Sequence, residues 1–143
     1  MPVPSFPAEL PQRMLVDGYG RTGRDGVEAT EMQAGPPKTR LRTASVVEPL
    51  QGAIEVRTAG LARFWRFFNE ELKFGSKVFW IRDQAFDGYP LATSDGSLLT
   101  TADGAPILLS AHWLVMFQPG SPPRETSLRG DEWRVAFNLI ILP

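Results

Sequence analysis

The sequence has no cysteine and only one histidine. Without thiols there is no disulfide framework, no thiolate metal ligand and no sulfur nucleophile, and a reducing compartment is compatible with the chain. His112 stands alone inside the run ILLSAHWLVMF and reads as a structural strand residue rather than a base or ligand. A dominant charge sign is also missing. Lys and Arg number 15 against 16 Asp and Glu, for a formal net charge of −1, so bulk electrostatics offers no footprint for nucleic acid or an anionic membrane. Long apolar runs are absent, and the longest falls well short of the ~18–20 residues that a membrane-spanning helix needs. The opening MPVPSFPAELPQR lacks both the basic start and the continuous apolar core of a secretory signal, and residues 1–12 read as an extended, proline-stiffened arm. There is no G-x-S-x-G elbow, no H-E-x-x-H and no G-K-[ST]. No catalysis, metal or cofactor is expected.

One stretch invites a different reading. In DGYGRTGRDG, residues 17–26, Gly18, Gly20 and Gly23 follow the G-x-G-x-x-G spacing of phosphate-cradling loops. That pattern works only where a helix opens at the third glycine, because the phosphate sits on the unpaired N–H groups of the helix N-terminus. Here Gly26 follows at once, Gly35, Pro36 and Pro37 close the segment, and Val27, Ala29 and Met32 are too few for a helical stripe. The segment reads as a long turn-rich loop that binds no nucleotide.

The 143 residues suit one domain with a real core, and 13 Gly with 13 Pro point to many turns and short strands. The expected organisation is the arm at 1–12 followed by a domain at 13–143, with a loop at 17–37 and an Asp-Gly-rich meander at 83–108. In KTRLRTASVVEPLQGAIEVR two β-like runs separated by Pro49 and Gly52 read as a hairpin. Leu41, Thr43, Ser45 and Val47 fall on one face of the first run. Lys38, Arg40 and Arg42 fall on the other, a solvated strand face rather than a phosphate groove.

The one helix expected is TAGLARFWRFFNEELKFG, where Leu61, Phe64, Trp65, Phe68 and Leu72 make a single apolar stripe. Thr58 suits its N-cap, Gly75 its C-terminal stop, and Arg66 with Glu70 a surface ion pair. Glu70 and Glu71 do not face one another, so they read as solvated rather than as an acid/base dyad. KVFWIRD reads as a strand buried on both faces. Asp87-Gly88, Asp95-Gly96 and Asp103-Gly104 recur eight residues apart, hairpin-turn signals that predict a small meander and lack the carboxylate spacing of a calcium loop.

The last strands alternate most clearly. Leu109, Ala111, Trp113, Val115 and Phe117 share one face, as do Trp133, Val135, Phe137, Leu139 and Ile141. Both faces belong in one core, with Phe64, Trp65, Phe68, Trp80, Trp113, Trp133 and Phe137 as its large members. The resulting fold class is mainly β (α+β): a β-sandwich or partly closed barrel of about seven strands with one packed amphipathic helix.

The order of elements carries a resemblance. A D-G-Y near the start, the polar strand LRTASVVEP, the aromatic helix running into a strand in FWRFFNEELKFGSKVFWIRD, the strand WLVMF and the closing WRVAFNLIIL resemble the minor tail proteins of long-tailed bacteriophages. The chain is similar over roughly residues 13–142 to the lambda-type minor tail protein M and to distal tail proteins. The resemblance implies a tail-tube-like β-sandwich that forms a ring, six subunits in number, at the distal end of the tail tube. The protein would be located in the virion tail and assembled in the host bacterial cytoplasm. Its partners would be further copies of itself and the neighbouring tail-tube and tail-tip proteins, with genomic DNA present only in transit through the channel. In such a ring the segment Gly18–Pro37 would act as an assembly arm. Tyr19, Arg21, Arg24, Asp25, Glu28, Glu31, Arg40 and Arg42 are the candidate subunit-interface residues. A glycan-binding β-sandwich module, and a tail terminator or connector subunit, are the alternatives.

Overall fold

Alternating apolar residues write two ten-residue strands into the chain, and these carry the fold. In the computed structural model, which describes residues 2–143, β4 (Glu48–Arg57) buries Leu50, Ile54 and Val56, while β8 (Glu132–Ile141) buries Val135, Phe137, Leu139 and Ile141. They pair antiparallel along their whole length, from Glu48 opposite Ile141 to Arg57 opposite Glu132. The far edge of β8 is shared by two strands. β6 (His112–Phe117) takes the Leu139–Ile141 end and β7 (Arg124–Arg129) the Glu132–Ala136 end. β5 (Phe79–Arg82) pairs with β6, and the two-residue β1 (Gly20–Arg21) pairs with β4. The resulting antiparallel sheet runs β1-β4-β8-β6-β5 and is not closed into a barrel. A separate two-stranded sheet joins β2 (Val27–Thr30) to β3 (Lys38–Leu41).

The helix covers one face of the large sheet. α1 (Thr58–Arg66) continues into a π-helical turn over Phe67–Glu71. A π turn carries an extra residue per turn, and here it shifts the apolar stripe so that Phe64, Phe67 and Phe68 are all buried. Phe67 lies outside the expected stripe for this reason. Phe68 meets Phe117 edge-on at 5.0 Å, Phe67 meets Phe79 at 5.3 Å, and Phe64 stacks on Phe137 at 6.2 Å, geometries that add to simple area burial. The N-terminal segment is part of this core. Trp80 donates its N–H to the Pro4 carbonyl and Phe6 donates to the Trp80 carbonyl at 2.9 and 2.8 Å, which covers the β5 edge and buries Phe6 and Leu10. Among the described residues no helix is long and apolar enough to cross a membrane.

Several expectations are corrected. Pro49 and Gly52 do not separate a hairpin but lie inside β4, where Gly52 leaves room for Met14: a Cβ there would overlap the Met14 sulfur. The hairpin formed is β2–β3, and both its strands are exposed, Leu41 remaining 71% exposed. Thr58 is the first helical residue rather than the cap; Arg57 holds the cap position without a side-chain bond. The Thr58 hydroxyl instead accepts a hydrogen bond from the Trp133 indole at 3.3 Å. Arg66 does not pair with Glu70, since the π turn begins between them, and the helix instead places Arg63 3.0 Å from Glu71 and 3.6 Å from Glu9. Of the four tryptophans only Trp113 is buried; Trp65 and Trp133 are half-buried with their indoles hydrogen-bonded, and Trp80 is 40% exposed on the outer face of β5. β6 begins at His112, so Leu109 and Ala111 stand outside the core.

The Asp-Gly segment is not a flat meander. Leu91 donates to Ile107, Ile107 to Leu99 and Leu99 back to Leu91, at 2.9, 2.9 and 3.0 Å. The bridges Ala92–Leu98, Thr100–Pro106 and Leu108–Pro90 repeat the same step around a pseudo-three-fold axis. Gly88, Gly96 and Gly104, with φ of +80°, +88° and +83°, turn the three corners in a conformation that glycine adopts without strain. Rolling three short strands into a closed prism leaves no edge unpaired. This knob projects between β5 and β6, and no residue from Gly88 to Ala111 is buried.

Candidate functional site

Two features stand off the core, the β2–β3 hairpin and the knob, and each is fastened at its root by a buried carboxylate. At the hairpin root Glu48, the first residue of β4, is buried and hydrogen-bonded by the Arg21 guanidinium, with Arg24 3.5 Å from its other oxygen. Arg21 in turn lies over the Trp113 ring at 5.2 Å. The hydrogen bond from Arg21 holds the Glu48 carboxyl below the ordinary carboxylate range against the opposing effect of burial, and the same bond raises Arg21. Tyr19 packs against the core beside them, and burial first of all pushes its phenol upward.

At the knob root Asp83 accepts the Ala85 and Phe86 N–H groups at 2.8 and 3.0 Å, which turns the chain out of β5. Asp87 accepts the Ala111 N–H at 2.8 Å and the Arg82 guanidinium, which ties the incoming and outgoing strands together. The Ala111 N–H, then Arg82, lowers the Asp87 carboxyl. Arg13 completes the root, donating to the carbonyls of Gln84 and Asp87 at 3.0 and 2.9 Å. Every polar partner at both roots is a turn, a strand end or a counter-ion, so the chemistry on show is anchoring.

The expected interface residues divide accordingly. Tyr19 and Arg21 are not on a free arm; Tyr19 packs against the core, Arg21 is held by Trp113 and Glu48, and Arg24 leans toward the same carboxylate. Asp25 accepts the Val27 N–H at 3.4 Å, and Glu28 pairs with Arg40 at 2.6 Å across the hairpin. Glu31 and Arg42 are exposed. The strand β2 stands where a helix after Gly23 would have been required for a phosphate loop. Sequence reasoning missed Glu48, Asp83 and the closure of the knob. The eight-residue period was the available signal for the last, since three equal segments can close on themselves whereas two cannot. Among the described residues no group of three or more His, Asp or Glu side chains comes together as a metal site. Comparison of the chain with protein-family models, curated proteins and solved structures finds no match.

Proposed function

We propose that this chain is a structural subunit of a long-tailed bacteriophage tail, assembling as a six-membered ring at the distal end of the tail tube and joining the tube to the tail tip. The observation that carries the proposal is the β2–β3 hairpin, whose eight strand residues are all exposed. A two-stranded ribbon with neither face covered is marginal by itself, and exposed Val27, Met32 and Leu41 are apolar surface awaiting a partner. In a ring each subunit supplies that partner, and the Arg21–Glu48 clasp fixes the direction in which the hairpin leaves the sheet. The order of the sequence elements supports the same assignment, as does a helix packed on an open antiparallel sheet, which suits a tail-tube-like β-sandwich. Binding across the ring would order the hairpin at some cost in affinity, with its charges setting register.

A glycan-binding module is the second reading, favoured by Tyr89, 62% exposed directly after the first Asp-Gly turn. Negative-stain imaging of the purified protein, alone and with its neighbouring tail proteins, separates the two. Closed rings support the tail assignment; a monomer that binds glycans contradicts it.

A further inference from the structure

The knob and an apolar recess lie at opposite ends of the same two strands. β5 runs from Phe79 to Arg82 and β6 returns from His112 to Phe117, so the knob leaves from the Arg82/His112 end. At the other end Phe68, Phe74, Gly75, Met116, Pro119 and Pro122 surround an open recess of about 270 Å³. Phe74 is 76% exposed, and both it and Lys73 adopt left-handed backbone conformations, φ +60° and +49°. Two successive non-glycine residues in that region store strain, and they present a bare phenyl group to solvent.

The two ends match in chemistry. From Gly88 to Ala111 the chain has no Lys or Arg and only two charges, Asp95 and Asp103. Its other exposed residues are uncharged, Ser and Thr interspersed with apolar side chains of which Leu98 is 57% and Leu108 54% exposed. The recess is bracketed in sequence by Lys73 and Lys77, both exposed, while the neighbouring Glu71 is engaged by Arg63. The knob is also preformed, because its backbone bonds close on themselves, so docking orders little additional chain.

We propose that the knob of one copy seats in the Phe74 recess of the next copy, a head-to-tail contact that specifies how the ring closes and rests on the ring assignment above. Such a contact is heterologous: the two patches differ, and repetition closes a ring when the rotation allows it. Leu98 and Leu108 supply the apolar contact, and Asp95 and Asp103 set register against Lys73 and Lys77.

The absence of cysteine makes the test direct. Single variants Leu108→Cys (knob) and Ser76→Cys or Pro119→Cys (recess) are mixed at equal concentration and oxidised with copper-phenanthroline. The expected result is a mixed disulfide formed at least several-fold faster than either variant forms its own dimer. Leu108→Cys dimers in place of mixed ones, or no mixed product, would overturn the contact. A second variant, Leu98→Asp with Leu108→Asp, changes exposed residues only and should keep the wild-type circular dichroism and melting temperature while losing assembly. Rings persisting in that variant sink the knob contact and leave the ring assignment standing. Mixed disulfides in open chains that never close support the contact and remove the ring. A wild-type chain that sediments as a monomer at every concentration overturns both.

Discussion

The β4–β8 ladder and the knob are both antiparallel β-structure, yet they are held by opposite means. In the ladder alternate residues enter a core where Phe64, Val135 and Leu139 are essentially inaccessible to water, and burial at roughly 25 cal/mol per Å² of apolar surface carries the stability. In the knob no side chain is buried, and the shape rests on a closed cycle of backbone hydrogen bonds with a carboxylate clasp at the root. Hydrogen bonds contribute about 1 kcal/mol net each, so such an element keeps its form but has little to contribute to the rest of the chain. The same holds for the β2–β3 hairpin. The difference teaches where to look for function. The ladder covers its apolar residues within the chain, whereas the two outlying elements leave theirs exposed, and it is on this exposed surface that the proposed contacts between subunits rest.

The largest expected effect lies in the core. Phe64→Ala removes a fully buried ring stacked on Phe137 and should cost ~3–5 kcal/mol, measured by urea denaturation, with Phe137→Ala similar. Trp80→Ala, at a side chain 40% exposed, should cost clearly less than Phe64→Ala. Equal losses at Trp80 and Phe64 would show that the outer face of β5 is covered in the folded chain.

Next comes the root of the knob. Asp87→Ala frees both Arg82 and the Ala111 N–H, and limited proteolysis should then nick residues 88–111 many-fold faster while the core transition moves little. Acid acts on the same clasps. Glu48 and Asp87 have folded-state pKa values below their ordinary ones, so their contribution is complete above the unfolded value of ~4 and is lost as pH falls through the depressed folded values. Denaturation midpoints of the wild type should therefore fall between pH ~5 and ~2, and Glu48→Gln should flatten part of that slope. An unchanged slope would assign the acid sensitivity to other carboxylates. The smallest effect is expected in the hairpin, where Leu41→Ser should alter monomer stability by less than about 0.5 kcal/mol.

The parts readable in the sequence were those where burial dictates the pattern. The odd-numbered faces from Trp113 to Phe117 and from Val135 to Ile141 point inward as their alternation predicts, and a helix forms over the segment that carries the apolar stripe, beginning one residue earlier than its expected cap allowed. Alternation without burial misled: the expected run through Leu41, Thr43, Ser45 and Val47 is not one strand, since β3 ends at Leu41 and residues 42–47 connect it irregularly to β4. Pairing partners also escaped local reasoning, because the strand following Pro49 finds its partner in the last strand of the chain. Gly52 signals a close approach by Met14 that no local pattern names. The π turn evaded a 3.6-residue template for the same reason it matters, since it changes the period in mid-helix. At the outlying elements the Asp-Gly repeat marked the corners of the knob, but whether three hairpin signals lie flat or close depends on the third strand returning to the first.

Residue-resolved hydrogen exchange on the assembled and the dissociated protein tests the central claim, that the two outlying elements serve contacts between chains, most directly. Amides of β4 and β8 should be protected in both states. Amides of Val27–Thr30 and Lys38–Leu41 should exchange rapidly in the dissociated chain and become protected on assembly, with the knob strands at residues 89–109 gaining protection beyond that of their own hydrogen-bond cycle. Hairpin and knob amides that exchange at the same rates in both states would contradict the claim.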